Sequence, residues 1–432
     1  MKKVLVISYY WPPAGGIGVL RCLKFVKYLR EFGWEPIVFA PENADYPYYD
    51  DGNFKDIPEG VKIIKRPIWE PFKLFKLITR RKDVPLNNII HVRDRKSIFD
   101  NLGIWVRGNF FIPDARSFWI KPSVKYLIQY LKENPVDAIL TDGPPHTNTV
   151  IGTQVSRALN IPHLADFQDP WTQVDYYELF KIGKNADAKH KRLEQETFKT
   201  AKKITIASPS WKKDIEKIGA KNVDVVYYGY DEDDFRDIKV KADDKFTICH
   251  AGLLGYDRNP NNLFEVLKNL SENEHGFKDD LKIKLLGQID IKVQESMIKS
   301  GLESNLLNLG TVNRKVALQE ISNSWILLLP LNKADNVNGR IPGKFFEYIR
   351  AKRPIISFGP HSTDVNNIMQ EYNLGINIDY SETEMLTHFI LEQYKNFKNK
   401  RFSATQSSKD LSVFSNFNQT KLIGKYLDEI TQ

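Results

Sequence analysis

The feature that most constrains the fold is a regular alternation of short β-branched runs with amphipathic stretches. Such alternation is typical of parallel sheets covered by helices, because each parallel crossover needs a helix-length connection. The strands predicted in the first half are Val4–Tyr9, Pro36–Ala40, Val61–Lys65, Ala138–Thr141, His163–Phe167 and Ile204–Ala207. Those in the second half are Phe246–His250, Lys282–Leu286, Asn308–Val312, Ile326–Pro330, Pro354–Phe358 and Gly375–Ile378. The sequence therefore predicts an α/β protein with two Rossmann-like parallel-sheet domains.

The restart of the pattern places the domain boundary. Residues 229–245, GYDEDDFRDIKVKADDK, are charge-dense and poor in apolar residues, which is typical of a linker. We expect an N-terminal domain over 1–228, a C-terminal domain over 246–414, and a helix over 415–432 that packs back on the N-terminal domain. Ligands of open parallel sheets bind outside the carboxyl ends of the strands. We therefore expect the two sheets to face a central cleft, with the chemistry in the loops after the strands.

Composition narrows the class of protein. Apolar residues make up 42% of the chain and charged residues 27%, which excludes disordered, collagenous and fibrous chains. The longest apolar run, 325–331, has about seven residues, far fewer than the roughly 18 that a membrane-spanning helix needs. The opening MKKVLVISYYWPP is interpreted as a first strand and not as a signal peptide. Cys22 and Cys249 form neither a disulfide framework nor a metal pattern, so we expect a reducing, cytoplasmic location.

The net charge of +8 is distributed unevenly, because most of the basic excess lies in the first 200 residues. Residues 61–82, VKIIKRPIWEPFKLFKLITRRK, hold eight basic residues and one acid, with aromatic and aliphatic residues between them. This composition favours peripheral contact with an anionic membrane surface, at the inner face of the cell membrane. A solvated charged face beside a packed helix is the alternative. No basic motif of a known nucleic-acid-binding module is visible, so no nucleic-acid partner is expected.

The first predicted strand leads into a glycine-rich turn, SYYWPPAGGIGVLR, and then into a helix that stops at Gly33. Glycines at such a turn let the backbone approach a ligand closely and direct helix amides at an anion. A plain strand-to-helix turn explains them as well. Dinucleotide binding is a further alternative, with Glu42 as the ribose-binding acid, but its third glycine would fall at Arg21.

Two more loops of the first half carry candidate chemistry. DGPPH, at 142–146, follows a strand end and leads into a helix. ADFQDPWT, at 165–172, places Asp166 and Asp169 after the next strand, with Trp171 beside them. Carboxylates in this position suit a general base or hydroxyl binding, and an aromatic side chain suits a sugar face. Capping or holding the turn is the structural alternative for Asp166.

The second half offers an anion site. Arg258 follows the turn formed by HAGLLGYD and stands near the start of the next helix, where a guanidinium is a natural partner of a diphosphate. In NGRIPGKFFEYIR, Lys344 lies in the first turn of a helix, which is unfavourable for a cation unless an anion is bound. Glu347 is three residues further along the same helix and could reach a ribose diol. No Cys/His cluster has metal-binding spacing.

Taken together, these loops resemble glycosyltransferase family 4 of the GT-B fold, and within it the bacterial enzymes that build cell-surface polysaccharides. The resemblance covers nearly the whole chain. The stretches that carry it are YWPPAGGIG at 10–18, GPPH at 143–146, ADFQDPW at 165–171, HAG and RNP within 250–260, GTV at 310–312, IPGKFFEYI at 341–349 and KRPII at 352–356. It implies a retaining glycosyltransferase that binds a nucleotide sugar mainly in the C-terminal domain, accepts its second substrate on the N-terminal domain, and needs no metal or other cofactor.

The resemblance also implies roles for individual residues. Those assigned to the donor diphosphate are Gly16, Gly18, Gly252, Arg258 and Lys344. The backbone at Val312 would read the base, and Glu347 would hold the ribose as the second glutamate of the family's Glu-x7-Glu pattern. Asp169, or alternatively Asp166, would be the catalytic acid near the donor sugar. Positions assigned to the acceptor or to the surrounding loops are Arg21, His146 and Trp171.

The sequence departs from the family pattern at two places. Gly339 stands where the first glutamate of Glu-x7-Glu would be, which puts in doubt a carboxylate contact to the donor sugar there. Leu253 and Leu254 follow Gly252, where a basic residue is usual, so the phosphate clamp would depend on Arg258 and Lys344.

Three functions compete on this basis. The first is transfer of a hexosyl or N-acetylhexosaminyl group to a lipid-linked or saccharide acceptor. The second is a nucleotide-sugar epimerase of the same fold, which would need acid and base groups against the sugar ring and no acceptor surface. The third is a non-catalytic nucleotide-sugar or membrane-binding protein, suggested by the missing glutamate. Turnover of the donor in the presence of an acceptor distinguishes them.

Overall fold

Thirteen parallel strands form two sheets in the computed structural model, which describes residues 1–70, 98–175, 177–334, 336–402, 404–405 and 407–432, with backbone only for 98–102. The strands are β1 (Lys2–Ile7), β2 (Trp34–Pro41), β3 (Lys62–Arg66), β4 (Ala138–Gly143), β5 (His163–Phe167), β6 (Lys203–Ile206), β7 (Val223–Val225), β8 (Phe246–Ala251), β9 (Leu281–Leu286), β10 (Leu306–Gly310), β11 (Ile326–Pro330), β12 (Ile355–Phe358) and β13 (Gly375–Ile378).

Helices connect successive strands, as parallel crossovers require. They are α1 (Ile17–Tyr28), α2 (Ile98–Phe110), α3 (Ile120–Glu133), α4 (His146–Leu159), α5 (Lys184–Thr200), α6 (Pro209–Lys217), α7 (Glu232–Phe235), α8 (Asn261–Asn273), α9 (Phe277–Asp280), α10 (Ile291–Lys299), α11 (Arg314–Asn323), α12 (Gly343–Ala351), α13 (Asp364–Tyr372), α14 (Glu384–Lys398) and α15 (Asn416–Ile430).

The chain divides into two compact units. Unit 1 consists of Met1–Tyr228 together with Asn416–Gln432, and unit 2 consists of Gly229–Ser415. The segment 229–245 belongs to unit 2 and contains α7. Helix α15 belongs to unit 1, where Ile423 and Leu427 join the buried core around β1 and α1.

Unit 1 contains a seven-stranded sheet in the order β3-β2-β1-β4-β5-β6-β7. After β1 the chain adds strands on one side, through β2 and β3, and then returns to add β4 to β7 on the other. The strand order therefore reverses between β1 and β4. Loops that leave the carboxyl ends of these two strands diverge, and that crevice is where ligands of open α/β sheets bind.

Unit 2 repeats the plan with six strands in the order β10-β9-β8-β11-β12-β13, so that its order reverses between β8 and β11. The central strands of both sheets are apolar and buried because helices cover both faces. Each fully buried aliphatic side chain contributes roughly 1.5 to 3 kcal/mol, so the two cores provide the main driving force for folding.

The predicted α/β class with two Rossmann-like sheets is confirmed. Each of the twelve predicted strands is present, and the ends differ by two residues at most. The prediction missed β7, a three-residue strand at the edge of the first sheet, because three residues are too few for a period-2 pattern. Of residues 61–82, predicted to meet a membrane, 71–82 lie outside the described residues.

Candidate functional site

Three glycines end neighbouring strands of unit 2 and shape the carboxyl edge of its sheet. Gly252, Gly287 and Gly310 have φ angles of 104°, 109° and 62°. The Gly252 amide donates to Leu286 O and the Gly287 amide donates to Gly310 O, both at 2.6 Å. A Cβ at Gly287 would lie 2.6 Å from the Gly252 carbonyl oxygen. Only glycine permits this close backbone approach.

Lys344 extends from the first turn of α12 toward this edge. A Cβ at Gly252 would lie 2.7 Å from Lys344 Nζ, so the glycine leaves the space that the amine occupies. Nζ lies 3.3 Å from Nε2 of His250, a buried residue on β8. Among the residues that the structure describes, no carboxylate lies within 4 Å of Nζ. The Lys344 amine thus lies at the carboxyl edge of the sheet, with no acidic partner in the described part of the chain.

The surroundings of Lys344 disfavour its charge. Burial and the nearby Arg258 guanidinium lower the pKa of Lys344 to about 7, against the opposing effect of Glu347. Arg258 is itself paired with Asp257 at 3.2 Å. A bound anion would stabilise the ammonium form, and diphosphate binding by Gly252, Arg258 and Lys344 stays a prediction.

Val312 and Glu347, the two residues predicted to bind the nucleoside, are both close to Arg314, the first in sequence and the second by direct contact. Val312 is half-buried in the loop after β10, two residues before Arg314. Arg314 Nη1 lies 2.7 Å from Glu347 Oε1, and Arg314 Nε lies 3.2 Å from Asp234 Oδ2. The Glu347 carboxylate is therefore held by a charged neighbour, and a ribose contact by Glu347 stays a prediction.

In unit 1, the predicted loop glycines begin α1. Gly16 has a φ angle of 82° and serves as the N-cap with no side-chain cap hydrogen bond. Gly18 packs against Tyr10, whose ring carbon would lie 3.3 Å from an added Cβ. The conformation of Gly16 and the contact of Gly18 account for both glycines locally, and diphosphate binding by them stays a prediction.

Asp166 and Arg21, both predicted to contact substrate, form a buried ion pair with each other. Arg21 Nε and Nη2 donate to the two Asp166 oxygens at 2.6 and 2.7 Å, and Thr205 Oγ1 donates to Oδ1 at 2.5 Å. Arg21 is 1% exposed and Asp166 is fully buried. Desolvation is the largest single effect and lowers the pKa of Arg21, but the Asp166 charge, its hydrogen bonds and the nearby Tyr228 and Asp142 together raise the value overall. These contacts stabilise unit 1, and a catalytic role for Asp166 stays a prediction.

A second buried carboxyl, Asp142, lies beside this pair because β4 and β5 place Asp142 and Asp166 in register. Its pKa is raised to about 7, mainly by burial and then by the Asp166 charge. Gln168 Nε2 donates to Asp142 at 2.5 Å, and Tyr228 Oη donates to Gln168 Oε1 at 3.0 Å. This chain of hydrogen bonds fixes Gln168.

Asp169 follows Gln168 directly and is half-buried at the end of β5. Its charge contributes to raising the pKa of Tyr228 well above the ordinary value, after the larger effect of burial. Asp169 is thus more accessible than Asp166 and lies in electrostatic reach of the buried network. A catalytic role for Asp169 stays a prediction.

A pocket of about 200 Å³ lies within unit 1, where the loops after β1, β4 and β5 meet α2 and α5. Its walls include Tyr10, Arg107, Asp114, His146, Trp171 and His190. Tyr10 follows β1 and His146 follows β4, so the pocket opens at the reversal of strand order. It therefore occupies the position where the topology predicts a ligand.

Two predicted residues, His146 and Trp171, lie together in this pocket. Their rings stack with centroids 4.5 Å apart at an angle of 2°, and Trp171 Nε1 donates to His190 Nδ1 at 3.1 Å. Burial, and then the His190 charge, lower the pKa of His146 to about 3. Its neutral imidazole can accept or donate a hydrogen bond to a hydroxyl group.

Sequence reasoning missed several members of these sites. Gly287 ends the run LLG and could have been found, since a glycine directly after a strand marks close backbone approach. Asp142 and Asp166 end neighbouring predicted strands, which was a signal for their pairing. His190, Arg314 and Tyr228 reach the sites from helices or loops without any local motif.

Across the described residues, no group of three or more His, Cys, Asp or Glu side chains is placed to hold a metal ion. Within that part of the chain, every helix is too short or too polar to cross a membrane.

The two parallel-sheet units define the GT-B fold class, and comparison with known proteins confirms this fold. No protein-family model and no curated protein sequence matches the chain. Solved structures match it over its full length. A glycosyltransferase from Rickettsia africae ESF-5 is 14% identical, with a TM-score of 0.58, and the match covers 100% of this chain and 99% of that chain.

Two further structures show the range of activities found on this fold. The lipopolysaccharide outer core galactosyltransferase WaaB is 12% identical, with a TM-score of 0.56 and 99% coverage of both chains. A putative UDP-N-acetylglucosamine 2-epimerase from Listeria monocytogenes is 11% identical, with a TM-score of 0.53 and coverage of 99% of this chain and 97% of that chain. At such identities the likeness establishes the fold, and membership of family 4 stays a prediction.

Proposed function

We propose that the protein is a retaining glycosyltransferase that moves a sugar from a nucleotide sugar to a lipid-linked or saccharide acceptor in surface polysaccharide synthesis. The observation that carries the proposal is the position of Lys344: its amine lies at the glycine-lined carboxyl edge of the unit 2 sheet, without an acidic partner among the described residues. A cation in the first turn of a helix opposes the helix dipole. A diphosphate bound there would offset that cost.

The donor diphosphate is the natural ligand of this edge. Lys344 and Arg258 supply two positive charges, and the turn at Gly252 allows the backbone to approach the ligand. When the sugar leaves, negative charge accumulates on the nucleotide diphosphate, and fixed cations stabilise it in the transition state. These side chains provide the charge that a metal would otherwise provide, so we propose that the enzyme works without one. Activity that persists in excess EDTA would support this point, and activity restored only by Mg²⁺ or Mn²⁺ would contradict it.

For the acceptor we propose the unit 1 pocket. Aromatic walls suit the apolar faces of a sugar ring, and neutral His146 suits a hydroxyl group. The volume of about 200 Å³ equals that of about seven water molecules, which is room for one sugar ring. His146→Phe keeps a planar aromatic ring but removes the polar nitrogens, so it should raise the KM for the acceptor and leave the KM for the donor unchanged.

Epimerisation is the second candidate function, because one matched structure is a putative epimerase. The two activities give different products from the same incubation. The protein would be mixed with UDP-glucose, UDP-galactose, UDP-N-acetylglucosamine or GDP-mannose, with and without membrane lipid extract or oligosaccharide. Release of UDP or GDP with a glycosylated product supports transfer, and the anomeric proton of the product reports retention. A new nucleotide sugar without acceptor would instead establish epimerisation.

Lys344→Met tests the donor site directly. Hydrogen bonds to charged partners contribute about 1.5 to 3 kcal/mol, so this variant should bind UDP or GDP at least about tenfold more weakly. Lys352→Met is the matched control, because Lys352 follows the last turn of the same helix and not its first turn. Equal affinities for wild type and Lys344→Met would reject the proposed diphosphate site.

A peripheral membrane contact completes the proposal. In the described part of 61–82, Lys62, Lys65 and Arg66 are exposed on β3, an edge strand. Trp69 is 56% exposed and packs edge-on against Phe118, which is 49% exposed. Cations beside exposed aromatic rings are the combination that binds anionic lipid, with about 1 kcal/mol from each basic residue.

Vesicle co-sedimentation tests this contact. Wild type should bind vesicles that contain anionic lipid at low salt and dissociate at high salt. The Lys62→Glu/Lys65→Glu/Arg66→Glu variant should bind at least tenfold less. A control variant with Lys292, Lys299 and Lys315 of unit 2 changed to glutamate carries the same charge change and should bind like wild type. Equal loss in both variants would indicate net charge alone.

A further inference from the structure

The His250 side chain has a fixed protonation pattern. Nδ1 lies 2.9 Å from the Leu328 carbonyl oxygen, which can only accept, so the proton is on Nδ1. Nε2 then carries a lone pair and accepts from Lys344 Nζ at 3.3 Å. Nε2 also lies 3.3 Å from Leu253 O, to which this tautomer has no proton to donate. Burial, followed by the Lys344 charge, holds the pKa of His250 well below its ordinary value, so the ring stays neutral.

Few charged groups face Lys344 from the neighbouring elements. Arg258, from the turn after β8, opposes its charge, and Glu347, on the same helix, favours it. Both have partners of their own: Asp257 lies 3.2 Å from Arg258, and Arg314 lies 2.7 Å from Glu347. No described acid contacts Nζ. The amine therefore depends on His250 for its position and on a ligand for its charge.

We propose that His250 is a positioning residue that fixes the Lys344 amine beside Gly252, and that Lys344 takes up a proton from solvent when the diphosphate of a nucleotide sugar binds. This inference rests on the proposed function of the same site. In the step, the neutral amine of Lys344 becomes an ammonium; no other bond is made or broken. His250 Nε2 accepts a hydrogen bond from the ammonium, which favours the charged form.

The sign of the pH dependence follows from the pKa of about 7. Below about pH 6, Lys344 is already charged, so binding takes up no proton and is tightest. Above pH 7 each binding event must protonate the amine, so the affinity should fall, approaching tenfold for each pH unit. His250→Phe removes the accepting nitrogen and disfavours the ammonium. The midpoint of the affinity curve should therefore move to lower pH.

Isothermal titration calorimetry between pH 5.5 and 8.5, in pairs of buffers with different ionisation enthalpies, measures both quantities. UDP-glucose, UDP-N-acetylglucosamine and GDP-mannose are the probes, because the diphosphate of a nucleotide sugar is a diester and does not titrate near neutral pH. Wild type should take up close to one proton at pH 8 and close to none at pH 5.5. Lys344→Met should bind at least tenfold more weakly with no uptake at any pH.

Two His250 variants separate positioning from folding. His250→Phe should bind at least about tenfold more weakly at pH 8 and lose less at pH 5.5. His250→Gln, which can place an amide oxygen near the Nε2 position, should recover affinity to within about threefold of wild type. Thermal melting identifies a variant that fails to fold, and His275→Phe, an exposed histidine of unit 2, is the control.

The outcomes are distinct. Binding without proton uptake, uptake that persists in Lys344→Met, or a His250→Phe curve with the same affinity and midpoint as wild type would each overturn the inference and leave the proposed function intact. If wild type binds none of the three nucleotide sugars at any pH, the proposed function fails and this inference fails with it.

Discussion

Replacing Asp166 by asparagine separates a structural from a catalytic role for that residue. The side chain is fully buried and accepts three short hydrogen bonds, two of them from the equally buried Arg21. Asp166→Asn leaves the guanidinium charge without its counter-ion inside unit 1. Removing one partner of a buried ion pair costs about 3 to 5 kcal/mol. For a unit of this size, that loss lowers the melting temperature by about 6 to 10 °C.

The assay is thermal and urea unfolding of wild type, Asp166→Asn, Arg21→Met and the double variant. If the pair is a structural unit, the double variant should be less destabilised than the sum of the single variants, because it leaves no unpaired charge. Glu35→Gln is the matched control. The Arg30–Glu35 pair is also bidentate, at 2.7 and 2.8 Å, but both side chains are about 30% exposed. It should therefore cost less than about 1 kcal/mol.

The reasoning is refuted if Asp166→Asn melts within about 2 °C of wild type. A variant with unchanged stability and lost turnover would instead establish Asp166 as the sugar-site acid. A stable protein after Arg21→Met would equally contradict the buried-pair account.

Three further predictions concern other parts of the two units. Asp142 has a pKa of about 7 in the folded protein, above its ordinary value of 3.8, so the native state binds its proton more tightly and the free energy of unfolding should fall as pH rises from about 4 to 7. Asp142→Asn removes that loss, so the free energy of unfolding of the variant should gain about 2.7 kcal/mol on that of wild type between pH 5 and pH 8; a constant difference across this range would contradict the raised pKa. Asp169→Asn should lower turnover about a hundredfold while UDP or GDP affinity stays unchanged, and full activity would remove Asp169 from the site. In Gly287→Ala the added Cβ would lie 2.6 Å from the Gly252 carbonyl oxygen, at a backbone φ of 109°. This variant should destabilise unit 2 by at least about 2 kcal/mol more than the control Gly301→Ala, where an added Cβ meets nothing within 4 Å. Equal unfolding curves for the two variants would show that the close approach is not required.

Burial shifts the pKa of Lys344 and the pKa of Asp142 in opposite directions. Burial disfavours the charged form of both groups and brings both pKa values near 7. For Lys344 the neutral form is poised to gain a charge when an anion binds. For Asp142 the neutral form is part of the folded core, although the hydrogen bonds from Gln168 and Ser8 favour the charged form. The lowered pKa of Lys344 therefore affects ligand binding, and the raised pKa of Asp142 affects the stability of the fold.

The sequence by itself determined the fold class. Strand and helix formation depends on periodicity and turn residues within about ten positions, and both were visible throughout. The restart of the alternation near Phe246 indicated a second sheet for the same reason. The loops after the strands were found because glycine, proline and aspartate favour turns through their own backbone conformations, which are a local property. Lys344 was recognisable as a candidate for anion binding because its position in the first helical turn is itself a local feature.

Only the tertiary structure decided what each candidate side chain contacts. Arg21 and Asp166 are 145 residues apart, His250 and Lys344 are 94 apart, and neither pairing leaves a trace in local periodicity. The register of β4 and β5 places Asp142 beside Asp166, and the packing of α11 against α12 brings Arg314 to Glu347. Charge, burial and hydrogen-bond partners depend on such long-range contacts, because the cost of burying an ion is set by everything within a few ångströms of it, whatever its distance along the chain.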